Sequence, residues 1–418
     1  MHRRLVPAFG LVIGLVLILL LGGLAITATE SVTAFADGED PANQSTPVPP
    51  PDFNSTERLL LPGIDPVVGE TSPDVDPTMA TSSEFRELTL TWEADMLERS
   101  VGAHGTSEGK VEVLQDDLDT LHDRLAKMNQ EEQDAFEAFH AGDITAGEFA
   151  ARVAELEQRG ELKHTRLEAV REATRGITSP VVQSNVTSLQ ANVGWLQLEA
   201  ESFQGPVRGS VWGAITAQQS TGDRITVQAT ADGYTLQTVD GVMYTREMYH
   251  GPNHERAAGG FLSTEAGGER MEVLYPWAYT ESFEQEPRAR GDIFRERLTH
   301  PHGTTTAHLS GPTELPYREI HEIDLAAIPT EVAASESLTD YDITVERTYA
   351  GGPAMVEVTD DAGEPANNTT VTVDDQSPVE LPRDGSLWFA TTDNQVIIEL
   401  DVGDESTSIE IELPIGPE

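Results

Sequence analysis

The chain of 418 residues contains no cysteine. Disulfides, thiolate metal sites, a cysteine nucleophile and a lipidated N-terminal cysteine are thereby excluded, and the folded parts must stand on their cores alone. Lysine is nearly as scarce. Only Lys110, Lys127 and Lys163 occur among 26 basic residues, the rest being arginine. Against them stand 72 acidic residues, for a formal charge of −46. That charge repels a phosphate backbone, which argues against nucleic acid as a partner. At low salt it strains the compact state by self-repulsion. At molar salt the Debye length falls to about 3 Å and the repulsion is largely screened. The acids are spread over every segment and not gathered into a tail, so they read as a salt-adapted surface.

Familiar catalytic signatures are missing too. "GPVRGSVWG" lacks the Gly-x-Ser-x-Gly spacing and falls in a helical pattern. The glycines around Gly251 to Gly260 lack the Lys-Ser/Thr of a phosphate-binding loop, and "HEID" lacks the second histidine of a helical zinc motif. Paired carboxylates are expected by chance in so acidic a chain.

One long apolar run is present. Met1-His2-Arg3-Arg4 is a positive start, and Leu5 to Ala28 is apolar apart from Thr27. As a helix, 24 residues span about 36 Å, enough to cross a bilayer of roughly 30 Å. That length favours an uncleaved anchor over a secretory signal, whose apolar core is shorter. Ala34-Phe35-Ala36 nevertheless offers a cleavage site after Ala36. Both readings leave the rest of the chain outside, tethered with a single N-terminal span or secreted. Glycosylation sequons at Asn43, Asn54, Asn185, Asn367 and Asn368 agree with an outside location.

The pattern along the chain predicts a multidomain protein. Residues 1–36 are the signal peptide or membrane anchor. Residues 37–81, rich in Pro, Ser, Thr and Asp, read as a disordered stalk, with "RLLLPG" its one apolar patch. Residues 82–220 read as an all-α bundle. Val111, Leu114, Leu118, Leu121, Leu125 and Met128 alternate spacings of three and four, and the frame continues to Phe139. "AGDI" breaks it, and Thr145 to Glu148 is a capping box opening a second helix. These two helices should fold back as an antiparallel coiled-coil hairpin, with Gly160 and Lys163 on its seam.

From Arg224 the period changes to two. Residues 221–330 read as an α+β module: three strands with Asp-Gly turns, a helix from Arg270 to Tyr279 holding "LYPWAY", then further strands in "DIFRERLTHPHGTTTAHLS" and "PYREIHEIDL". Residues 340–414, short strands with frequent turns, read as an Ig-like β-sandwich. Trp195, Trp212, Trp277, Trp388, Tyr275 and Tyr279 are the expected core anchors.

The succession of "RLLLPG", "GDITAGEF", "LQLEAESFQGPVR", "DGYTLQTVDGVMYTREMYHG", "LYPWAY" and "HPHGTTTAHLSG" resembles a family of haloarchaeal envelope proteins with no assigned activity, over most of the chain from Arg58. Its closing strand, turn and strand, "HPHGTTTAHLSGPTELPYREIHEI", is similar to a PepSY-type repeat, with Glu314-Leu315-Pro316 where that repeat carries Gly-Glu-Val. "VEVTDDAGEPANNTTVTVDD" and "LPRDGSLWFAT" resemble the carboxypeptidase-regulatory-like sandwich. These likenesses imply folds and carry no functional residue.

Six of eleven histidines fall between His250 and His321. His300 and His302 on one strand face, with His308 and His321 on neighbouring strands, are the candidate metal ligands. The competing reading is exposed histidines, near neutral at pH 7, in an already polar domain, with no cofactor and no catalytic residue. The expectation is a non-enzymatic envelope protein of binding or structural role, partnered by the membrane if uncleaved and by an envelope or extracellular protein. The alternatives are a PepSY-like regulator or inhibitor of an extracellular protease and, third, a metal-dependent hydrolase.

Overall fold

In the computed structural model, residues 66–412 are described apart from 219–223, 256–262, 350, 367–368, 375, 393–394 and 404. The apolar run 5–28, Ala36, Asn43, Asn54, Asn367 and Asn368 lie outside the described residues. Among the described residues, no helix is long and apolar enough to cross a membrane.

The helical half follows its apolar spacing. Helix α1 (Pro77–Ala103) begins where the Asp76 side chain accepts hydrogen bonds from the Thr78 and Met79 amides, with Pro77 at its first position. Helix α2 (Ser107–His140) buries Leu114, Leu118, Leu121, Leu125 and Met128. A tight turn at 141–145 leads to α3 (Ala146–Arg175), opened by a complete capping box between Thr145 and Glu148. The hairpin is therefore present, closed by α4 (Gln183–Glu201) and α5 (Pro206–Ile215). Arg166 ties three helices together, donating from α3 to the Glu93 carbonyl of α1 and to Asp117 of α2.

Gly160 on the seam has a steric role. A Cβ there would lie 2.9 Å from both the Ala200 carbonyl oxygen and Phe203 Cβ, closer than packed atoms allow. Gly160→Ala should destabilise by about 1–3 kcal/mol through overpacking, although alanine is the better helix former. A thermal melt tests this. An unchanged or raised midpoint would mean that α3 and α4 separate freely at this contact.

An eight-stranded antiparallel sheet lies against the bundle. Its strands are β1 (Val67–Thr71), β2 (Ile225–Ala229), β3 (Gly233–Asp240), β4 (Met243–His250), β5 (Glu284–Arg290), β6 (Ile293–His300), β7 (Gly303–Ser310) and β8 (Leu315–Asp324). They run in the order β1-β2-β3-β4-β8-β7-β6-β5. Two four-stranded halves thus meet at β4 and β8, one filling inward from β1 and the other from β5.

Several boundaries expected from sequence are corrected here. The stalk does not extend to residue 81: Val67–Thr71 pairs with Ile225–Ala229, and α1 starts at Pro77. Five residues flanked by prolines show no strand period by themselves, and it is the open edge of β2 that orders them. Edge strand β5 shows no strand period either, because "EQEPRAR" is charged and carries Pro287. Both are features of an edge that resists further pairing. "LYPWAY" is not one helix. Helix α6 (Thr264–Leu274) ends before Pro276, which lacks an N–H, and α7 (Pro276–Glu281) begins there.

Bundle and α+β module are not separate domains either. Phe136, Phe139, Phe149, Val211 and Trp212 from the helices share one core with Val227, Tyr234 and Leu236 from the sheet. The apolar faces of α2, α3 and α5 have no partner large enough except this sheet.

The other sheet face is covered in two parts. Helices α6 and α7 set Met271, Leu274 and Tyr275 against Phe294, Leu298 and Leu309. The C-terminal sandwich packs around Tyr244, Ile323 and Leu325, with Tyr349, Trp388 and Ala390. It also holds the sheet through Gln228, which donates to the Thr392 carbonyl at 2.8 Å. That sandwich has two four-stranded sheets, one ordered Ser386–Phe389, Ala354–Asp360, Tyr341–Arg347, Glu331–Ser337 and the other Val379–Glu380, Thr369–Val373, Gln395–Val402, Glu405–Glu412. Its alternating Val, Ile and Leu residues form a single core. It begins at Glu331, not at 340, because Glu331–Ser337 pairs with Tyr341–Arg347.

Candidate functional site

A buried charge network joins bundle to sheet. Glu132 of α2 is fully buried. It accepts two hydrogen bonds from Arg318 Nη2 of β8, at 2.8 and 3.0 Å, and one from the Tyr234 hydroxyl of β3. Burial would raise its carboxyl, but Arg318 and Arg208 beside it hold the group below the usual carboxylate range. The Arg318 guanidinium lies 4.8 Å above the Tyr249 ring. Arg208 of α5, also fully buried, donates from Nε to Glu247 of β4 at 2.7 Å. Glu247 in turn accepts from the Val207 and Arg208 amides, capping the first turn of α5. Residue 205 must be glycine for this, since a Cβ there would fall 2.4 Å from the Glu247 carboxylate.

Beside this network a cleft of about 770 Å³ opens between α3–α5 and strands β5–β8. Glu157, His164 and Ser210 line its helical wall, and Arg288, Arg295, Arg297 and His308 its sheet wall. Burial, with Glu247 and Glu161 nearby, pushes Glu157 up to about 8 against the opposing charge of Arg208, so it is largely protonated at neutral pH. His308 is buried and has no hydrogen-bond partner on either ring nitrogen. Burial and the surrounding cations Arg295, Arg318 and Arg208 hold it well below its ordinary value, hence neutral.

The four candidate histidines do not converge, nor are they exposed: all four are buried under the elements packed on the two faces of the sheet. His302 lies in the two-residue turn between β6 and β7, stacked on Trp277 at 4.7 Å, and not on a strand. His308 faces the bundle. His300 and His321 face α6 and α7, bridged by the Thr305 hydroxyl at 3.1 Å from each. His321 reaches Glu319 at 3.5 Å, and Glu319 accepts from the Tyr275 hydroxyl. Strand alternation sends His308 and His321 to opposite faces, and "Pro-His-Gly" takes His302 out of the ladder. Among the described residues no group of three or more His, Asp or Glu side chains could hold a metal ion. Asn185 is exposed near the start of α4.

Glu132, Arg208, Arg318 and the arginine wall were not singled out from sequence. For Glu132 a signal existed: it is four residues after Met128 and four before Phe136, so a charge occupies a core position of the α2 seam. The arginines are brought together only by strand register and helix docking.

Taken together, the chain is a helical bundle fused to a two-half antiparallel sheet, followed by a β-sandwich. Residues 5–222 match the model of a domain of unknown function, DUF7096. Because that match spans more than half of the chain, the protein belongs to the DUF7096 family. Residues 225–329 match DUF7094, a family of unknown function, and residues 332–409 match an archaeal fibronectin-III type-like domain. The sandwich expected from sequence is thus present, and the model it matches is the fibronectin-III type and not the carboxypeptidase-regulatory type. The first two matches share one sheet, since β1 belongs to one and β2 to the other. Comparison with curated proteins and with solved structures returned no match.

Proposed function

We propose that this protein is a non-enzymatic surface protein of a halophilic archaeal envelope that recognises a ligand in the cleft between bundle and sheet. It is tethered by the apolar run 5–28, or released by cleavage after Ala36. The observation that carries this reading is the cleft. It is walled by two elements locked together through Glu132 and Arg318, and its one fully buried imidazole, His308, activates no hydroxyl. Rigid walls with unengaged polar groups suit binding, whereas nucleophilic catalysis needs a hydrogen-bonded base. A PepSY-like reading of 221–330 draws support from α6 and α7 leading into antiparallel β5–β8. The scarcity of lysine under a charge of −46 supports the salt-rich setting.

Protease shaving of intact cells tests the location. A C-terminal epitope should be lost from intact cells, or found in the medium, while a cytoplasmic marker survives. An epitope protected until lysis would overturn the proposal.

A further inference from the structure

Resting on the reading of the cleft as a recognition site, we propose that its sheet wall binds a small organic oxyanion, a carboxylate or phosphate group held by Arg288, Arg295 and Arg297 over His308. Strand register sets two of these charges against each other. Arg288 of β5 stands directly opposite Arg295 of β6, and Arg295 directly opposite His308 of β7. Like charges facing each other across a strand pair are destabilising unless an anion lies between them.

These cations are also incompletely paired within the protein. Arg288 donates to Glu201 at 3.0 Å. Arg295 and Arg297 approach Glu286 and Glu322 only to 3.8 and 3.6 Å, beyond hydrogen-bond reach. Arg297 Nε and both nitrogens of His308 are buried without a partner. Burial lowers Arg295 from its ordinary value, the behaviour of a cation whose compensation is incomplete.

A simpler account makes the three arginines ordinary partners of Glu201, Glu286 and Glu322. It leaves Arg295 and Arg297 ion-paired only at 3.8 and 3.6 Å, with Arg297 Nε and a buried imidazole lacking any hydrogen-bond partner at one place. In a chain with 72 acids to 26 bases, carboxylates to complete those bonds are not in short supply. The guanidinium fork matches a carboxylate or phosphate in two-point contact. Opposite it, the protonated Glu157 and Ser210 can hydrogen-bond the neutral part of such a ligand, and about 770 Å³ suits a small metabolite.

Calorimetric titration of the full-length protein with citrate and with inorganic phosphate, in molar potassium chloride, tests the site. Saturable binding of at least one probe is expected, and the preferred probe distinguishes a carboxylate from a phosphate ligand. Arg295→Gln with Arg297→Gln should weaken it at least about tenfold, as should Arg288→Gln on the exposed edge strand, which leaves the interior untouched. Arg347→Gln, in the sandwich, should bind as the unaltered protein does. Absence of saturable binding by both probes, or retained affinity in the arginine variants, would overturn the site. Such a result alongside positive surface shaving would leave the surface reading standing.

Discussion

Replacing Glu132 by alanine is expected to lower the unfolding free energy by roughly 3–5 kcal/mol, the scale of breaking a buried ion pair from one side. The variant strands Arg318, whose side chain is 1% exposed, and removes one of two carboxylates beside Arg208, which is 0% exposed. Neither cation can reach water without parting bundle from sheet. A second comparison separates charge from packing. Combining Glu132→Leu with Arg318→Met removes both charges while keeping apolar volume, and such replacements are often neutral or better. The double variant should therefore recover much of what Glu132→Ala loses. Denaturant titration in molar salt measures both, and a loss below about 1 kcal/mol for Glu132→Ala would be typical of an exposed pair, not this one.

Acidification should destabilise the protein through its buried histidines. Burial, with His321 and His302 nearby, pushes His300 down to about 3, and burial with the Arg318 charge pushes His254 down to about 4. Their native values lie below the unfolded value near 6.5, so the unfolded chain takes up protons first. The stability they contribute is complete above pH 6.5 and is lost progressively as pH falls toward 4 and then 3. At pH 5 each such imidazole should cost roughly 2 kcal/mol relative to pH 7.5, on the order set by 1.36 kcal/mol per pKa unit. His300→Gln keeps a partner for the Thr305 hydroxyl and removes the titration. Its loss of stability between pH 7.5 and pH 5 should be smaller by about that amount. An identical pH profile for this variant would show that His300 titrates freely in the native state. Glu157 acts in the opposite sense. With a native value raised to about 8, its contribution is full below 4.5 and lost as pH rises through 8. Separating the two slopes needs the Glu157→Gln variant measured beside the first.

How much of this was legible beforehand depends on range along the chain. The α2–α3 hairpin follows from apolar spacing and the Thr145 capping box, and β2–β4 from alternation between short turns, all contacts within a few dozen residues. Strand β1 was hidden because its partner lies more than 150 residues away. Edge strand β5 was hidden because charges and Pro287, which protect an edge, erase the apolar alternation that marks a strand. The histidines misled for a related reason. Spacing put four of them on nearby strands, but a turn at His302 and the face alternation of β7 and β8 scatter them.

By itself the sequence determined the order of helical and strand regions, the acidic lysine-poor surface, the absence of thiol chemistry and the apolar N-terminal run. These are local or additive properties, readable from periodicity and composition. Only the tertiary structure decided that bundle and sheet are one body, that Glu132 meets Arg318 across it, and that Arg288, Arg295 and Arg297 face His308 in a single cleft. Burying the helices' apolar faces against the sheet forces those charges together, and no spacing along the chain records a contact made between elements 186 residues apart.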